Sequence, residues 1–245
     1  MPYQWNWSIF FSPVPSGETT YLFWLLEGLK WTLALSLLAW VIALAAGCVV
    51  GVLRTVPNRA LSSIATAYVE LFRNVPLLVQ LFIWYFVLPE LLPTTLGNAF
   101  KQTNPLIQQF IAAVLYLGVF TSARVAEQVR AGLSALPSGQ RHAGLALGFT
   151  LPQTYRHVLL PMAFRIVIPP LTSEFLNVFK NSSVATTIGL IELSRQSQQL
   201  VDYTAQPYEA FIAVTCLYLL LNLTVMTFMR GLEQSVRVPG YVGGR

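Results

Sequence analysis

Apolar residues in this chain fall in long unbroken blocks, without the half-faced pattern of a soluble helix or the alternation of a solvated strand. Trp31–Leu53 runs 23 residues without a charge, Gln102–Ala123 runs 22 and Ala210–Met229 runs 20. At about 1.5 Å per helical residue, each block is long enough to cross a hydrocarbon layer about 30 Å thick. Two further blocks are more interrupted. "NVPLLVQLFIWYFVLP" follows a charged stretch around Glu70 and Arg73, and "FRIVIPPLTSEFLNVFKNSS" contains two prolines, Glu174 and Lys180. A helix of the second kind is tolerated in a membrane only where neighbouring protein or a watery cavity satisfies its polar groups. The pattern predicts an all-α integral membrane protein with five spans, over 23–53, 66–88, 106–131, 162–181 and 208–231, in one domain covering 1–245. "VATTIGLIELSRQSQQL" reads as a short helix at the outer face.

Between the third and fourth spans lies a polar stretch, 132–161, which contains both histidines of the chain. Pro137 and Ser138 break the continuation of the third span. A short helix is predicted from Gly139 to Leu147, stopping at Gly148, where a residue without Cβ accepts the left-handed conformation. Thr150 then offers an N-cap, with Gln153 at capping-box spacing and Pro152 in the first turn. A second short helix runs to Leu160, and Pro161 marks the turn back into the membrane. Leu145 and Leu147 sit near Phe149, while Arg141 and His142 give the first helix a polar side. An apolar tip on a basic elbow fits a groove on a soluble partner; the competing reading is a surface segment held by lipid headgroups.

Basic residues set the expected orientation. Arg54, Arg59 and Arg73, then Arg130, Arg141, Arg156 and Arg165, then Arg230, Arg237 and Arg245 fall on one side, against Lys101 and Arg195 on the other. The arginine-rich side is cytoplasmic by the positive-inside rule, which puts the N-terminus outside, the elbow and the C-terminus inside. No Lys or Arg precedes Lys30, so the first span is expected to be retained and not cleaved as a signal. The composition agrees with a membrane protein: 55% hydrophobic, 10% charged, mean hydropathy +0.58, against about 25% charge in soluble domains. The pI of about 9.4 does not imply nucleic acid, because the 15 basic residues are dispersed near span ends.

Catalytic chemistry is not indicated. The sequence has no "GxxxxGK[ST]" phosphate loop, no Ser-His-Asp arrangement and no metal-ligand spacing. Cys48 and Cys216 lie inside apolar spans and read as small buried hydrophobes. No cofactor is expected in this chain, and no metal. The intramembrane charges carry the functional information. Arg124 stands about 14 Å along the third span from Leu133 at the helical rise. Three roles are open to it: an intrahelical pair with Glu127, snorkelling of its stem to the headgroups, or its planar fork offered to a carboxylate in a translocation cavity. Lys180, Asn181, Ser182 and Ser183 either cap the fourth span or line a cavity mouth, and Glu174 faces a partner subunit or the cavity. Pro76 and Gln80, four apart, read first as helix packing. On physics alone, an ion-coupled carrier or channel competes with any other transporter.

The elbow resembles the cytoplasmic loop of ABC importer permeases, whose pattern is Glu-Ala-Ala, three residues, Gly, nine residues, then Ile-x-Leu-Pro. The pattern lands on His142, Ala143, Gly144, Gly148, Val158, Leu160 and Pro161, with Gly139, Gln140, Leu147 and Phe149 in the same segment. The spacing matches; histidine stands in the glutamate position and glycine in that of the second alanine. "YVELFRNVPLLVQLFIWYF", "SARVAEQVRAGLSALPSGQ" and "VLLPMAFRIVIPPLTSEFLNVFKNSSVATTIG" resemble permeases for polar amino acids, and the resemblance covers residues 20 to 235. It implies a type I importer permease in a bacterial inner membrane, with this loop as the coupling elbow. It also implies a cytoplasmic ABC ATPase dimer that carries the ATP and magnesium, an extracytoplasmic binding protein, and a second permease subunit, paralogous in preference to identical. The arginine of "SARVAEQVRAG" resembles the glutamate/aspartate branch, with glutamine, histidine or arginine importers as the alternative. The substrate path then draws on Arg124, Glu127, Glu174, Lys180, Asn181 and Ser182.

Overall fold

The computed structural model describes residues 3–236. The C-terminal tail with Arg237 and Arg245, expected inside the cell, lies outside the described residues. Helices α1 (Tyr21–Leu53), α2 (Arg59–Asn74), α3 (Leu77–Leu91), α4 (Thr94–Gln102) and α5 (Pro105–Ser134) come first. Then follow α6 (Ser138–Ala146), α7 (Leu151–Ile188), α8 (Leu193–Thr204) and α9 (Pro207–Val236). Among the described residues α1, α5, α7 and α9 are long and apolar enough to cross a membrane, and α2 with α3 makes a fifth crossing if the bent pair counts as one. The protein is an all-α integral membrane fold.

Two elements differ from the pattern-based expectation, each because of a proline. The stretch predicted as one span over 66–88 is broken by a 103° bend between α2 and α3. Pro76 has no N–H to donate and forces Val75 out of the helical region, to φ −87° and ψ 128°. The predicted turn at Pro161, before a span starting at 162, does not occur. Instead α7 runs through Pro161 from Leu151. A π turn over Tyr155–Leu159 widens the helix, and the N–H of Leu160 donates to the carbonyl of Tyr155. The shift in register accommodates a proline ring that would clash with the carbonyl of an ordinary α-turn. The same device occurs in α3, where a π turn over Ile83–Val87 precedes Pro89 and Leu88 donates to Ile83.

The chain divides into two compact units. The first contains residues up to Ala39 with Leu77–Leu117 and Val178–Thr224. Its core packs Val14, Tyr21 and Leu25 against Leu193, Leu200, Ala210 and Val214. At its polar centre is Glu192, the N-cap of α8, which is fully buried. The carboxylate accepts from the N–H groups of Ser194 (3.0 Å) and Arg195 (2.9 Å), from the Tyr218 hydroxyl (2.9 Å) and from Thr186, with Thr32 at 3.4 Å. Burial pushes its carboxyl above the usual carboxylate range. An aromatic group of Tyr3, Trp5, Trp7 and Tyr208 is pinned by Glu209, which accepts from Tyr3 and from the N–H of Asn6 at 2.6 Å.

The second unit contains, of the described residues, Trp40–Pro76, Gly118–Asn177 and 225–236. Here α1 approaches α5 through Gly47 and Gly51, a small-xxx-small pair. A Cβ on Gly47 would stand 2.6 Å from the Val125 side chain and 2.7 Å from the Ser122 carbonyl, so only glycine allows this backbone separation. The end of α5 turns at Pro137, the N-cap of α6. Gly148 closes α6 at φ +86°, with Gly148 donating to Leu145 (3.0 Å) and Phe149 to Gly144 (3.1 Å), the bond pair of a Schellman motif. Thr150 and Gln153 form a capping box at the start of α7, and Pro152 sits in its first turn. The two arms are held close at Gly144, where a Cβ would come within 2.7 Å of the Thr154 methyl. That contact explains glycine at this position of the elbow.

Candidate functional site

The intramembrane charges of the second unit converge on one cavity of about 220 Å³, lined by Arg73, Arg124, Glu127, Gln128 and Glu174. Arg124, Glu127 and Gln128 project from α5, Arg73 from the last turn of α2 and Glu174 from α7. The i,i+3 pair of Arg124 with Glu127, one of the three roles open to Arg124, is not formed. Glu127 is taken by other arginines: Arg54, next to the end of α1, and Arg130, one turn along α5. Arg73 stands 3.6 Å away. Arg124 instead reaches Glu174, at 3.6 Å, with its guanidinium 5.2 Å from the centre of the Phe120 ring.

That 3.6 Å separation is an ion pair but too long for a hydrogen bond. The Arg124 side chain is 44% exposed, whereas Glu174 is only 8% exposed as a residue. Its Oε2 is buried with no hydrogen-bond partner among the described residues. A buried carboxylate oxygen without a donor is costly, by about 1–3 kcal/mol or more. The site therefore holds a cation turned to open space and an anion with unused acceptor capacity, a few ångströms apart. It can bind a group that carries both charges.

The remaining residues expected on the substrate path lie elsewhere. Lys180 is exposed, the Asn181 carbonyl accepts from the Tyr116 hydroxyl at 3.2 Å, and buried Ser182 donates to the Phe179 carbonyl at 2.7 Å. None of the three lines the cavity. Gln80 is buried, in keeping with packing. Arg73 and Arg54 contribute to the charge cluster although sequence reading used them only to orient the chain. Their signal was position: Arg54 follows the last residue of α1, and Arg73 stands in the last turn of α2, ahead of the Pro76 break. Among the described residues no group of His, Cys, Asp or Glu is arranged to hold a metal ion. On the elbow, Leu147 is 78% exposed, and Leu145 and Phe149 are exposed beside it. Gly139, His142, Ala143 and Pro161 are exposed as well, Gln140 and Leu160 half-buried.

A charge pair and an apolar-tipped elbow, carried on membrane-crossing helices, fit a transport subunit. Comparison with known proteins identifies its family. Residues 20–238 match the family described as binding-protein-dependent transport system inner membrane component. The chain belongs to this family. It is 53% identical over 246 residues to the glutamate/aspartate import permease protein GltJ of Escherichia coli (strain K12), covering 100% of both chains. It is 32% identical over 235 residues to the glutamine transport system permease protein GlnP of the same strain, covering 96% of this chain and 99% of that one. Among solved structures it resembles an amino acid ABC transporter crystallised with histidines, with a TM-score of 0.74 and 30% identity, over 88% of this chain and 95% of the other. The chain is thus a multi-pass inner-membrane permease subunit of a polar-amino-acid ABC importer. It is a transport subunit, and the architecture implies a separate ATPase and a substrate-binding protein as partners.

Proposed function

We propose that this chain forms half of the translocation path for glutamate and aspartate, delivered by an extracytoplasmic binding protein. The observation that carries the reading is the cavity in which Arg73, Arg124 and Glu174 meet. An acidic amino acid brings two carboxylates and one ammonium. Arg124 and Arg73, with side chains 44% and 47% exposed, are open to the carboxylates, and Glu174, which lines the same cavity, supplies the anion for the ammonium. Leaving one substrate carboxylate unpaired in a desolvated path costs on the order of several kcal/mol, so a fixed cation for each is the economical arrangement. Glu127, already held by Arg54 and Arg130, serves to position this group. The relative named for glutamate and aspartate import, identical at 53% of positions, supports the same substrate class.

In this reading the N-terminus is outside and the elbow inside, where Leu145, Leu147 and Phe149 enter a groove of the ATPase dimer. The apolar window of α9 is only 6% buried, against 50% for α5, which supports a second permease subunit covering it. We assign that subunit to a paralogous chain.

The reading is tested with the reconstituted complex and its binding protein, by ATPase stimulation with a panel of amino acids. Glutamate and aspartate stimulate; stimulation by glutamine, arginine or histidine alone rejects the acidic assignment. Arg124→Met lowers glutamate transport at least tenfold and Arg124→Lys much less, with assembly intact; equal transport by both returns Arg124 to a structural role. Leu147→Asp releases the ATPase on purification, and its retention with full transport refutes the docking role.

A further inference from the structure

A second polar cavity lies within the same unit and takes no part in the substrate path. Its volume is about 380 Å³, and it opens where α5 ends and α6 begins. Arg141 and His142 of α6 line it with Ser134, Ser138, Thr55 and Tyr155, above leucine side chains of α5 and α7. None of the residues lining it is acidic. The Nε of Arg141 is buried with no hydrogen-bond partner among the described residues. The Tyr155 hydroxyl is anchored, donating to the Thr55 carbonyl at 2.9 Å, so the wall opposite α6 is fixed.

Three membrane-crossing helices meet the cavity at their ends. Ser134 is the last residue of α5, Thr55 lies two residues past the end of α1, and Tyr155 is in the second turn of α7. Arginine presents a fork of donors that matches phosphate geometry. With no acidic residue in the lining, the half-buried Arg141 is the cation that calls for an oxyanion.

We propose that this cavity binds a phosphate oxyanion, supplied by the headgroup of an anionic phospholipid or by free phosphate. Bound there, the anion ties the root of the elbow to the ends of α1, α5 and α7. The proposal is independent of which amino acid is carried and of which side the elbow faces, since both leaflets carry phosphate.

The test uses the intact importer complex, stripped of lipid in detergent, with native mass spectrometry to read bound ligand. One arm titrates phosphatidylglycerol against phosphatidylcholine, and the other inorganic phosphate. Binding of phosphatidylglycerol in preference to phosphatidylcholine identifies the lipid source, and binding of inorganic phosphate in competition with it identifies the free anion. Arg141→Gln weakens either ligand roughly tenfold, the loss of one charge-assisted hydrogen bond, and Arg141→Lys recovers part of it. Ser134→Phe fills the cavity without changing its charge and weakens binding similarly, which decides the matter if Arg141→Gln does not fold. Arg156→Gln, at an exposed arginine that does not line the cavity, leaves binding as in the unaltered complex. The proposal is overturned if neither ligand binds, if both cavity variants bind normally, or if Arg156→Gln loses as much as Arg141→Gln.

Discussion

Glu192 and Glu174 are both buried carboxylates, and their surroundings are opposite in kind. Glu192, in the first unit, is enclosed by neutral donors: two backbone N–H groups, Tyr218, Thr186 and Thr32. Glu174, in the second, has one arginine at 3.6 Å and one oxygen with no partner. The first carboxylate has no acceptor capacity left for a ligand and joins α1, the end of α7, α8 and α9 into a fixed body. The second has capacity left over, beside a cation that is nearly half exposed. Completeness of hydrogen bonding thus separates a structural acid from one available for exchange.

The largest effect is expected from breaking the complete network. Glu192→Ala leaves the N–H groups of Ser194 and Arg195 without their acceptor, and at about 1–3 kcal/mol for each buried orphan the loss reaches about 2 kcal/mol or more. Thermal unfolding of the detergent-purified complex measures it as a clear drop in melting temperature. A variant that melts with the unaltered protein shows that the network contributes nothing to the first unit.

A smaller effect is expected in the arginine cluster. The Arg54 and Glu127 side chains are 10% and 23% exposed, so their pairing is shielded but not dry. A double-mutant cycle with Arg54→Ala and Glu127→Ala gives a coupling of about 1–2 kcal/mol. Coupling near zero reduces Glu127 to a surface charge that positions nothing.

The smallest effect is a pH dependence. Burial raises the Glu192 carboxyl above its ordinary value, so the folded state holds its proton to higher pH than the unfolded chain. This group's contribution to stability is therefore fully present below the ordinary carboxylate range and is lost as pH rises through the raised value. Melting temperature falls across that window, and Glu192→Gln flattens the slope. An identical slope in the variant removes Glu192 as its source.

Block hydrophobicity alone dictated that the chain is helical and crosses a membrane, because some 20 apolar residues can satisfy their backbone in lipid only as a helix. The elbow was equally legible, since its determinants are local: Pro137 as a break, Gly148 for a positive φ, and Thr150 with Gln153 as a cap. Prolines were read less well. Pro76 gives a sharp bend and Pro161 none, and the difference lies in whether a π turn absorbs the missing donor, which the residue type does not announce. The charges divide in the same way. That Arg124, Glu127 and Glu174 lie on helices long and apolar enough to cross a membrane is legible in the sequence, but their pairing is not. On the helix, Glu127 is the nearest partner for Arg124; in the fold, Arg54 and Arg130 occupy Glu127, and Arg124 turns to Glu174 on another helix. The close approach of α1 to α5 at Gly47 and Gly51 brings Arg54 beside Glu127, and only tertiary packing decides a contact between residues so far apart in the chain.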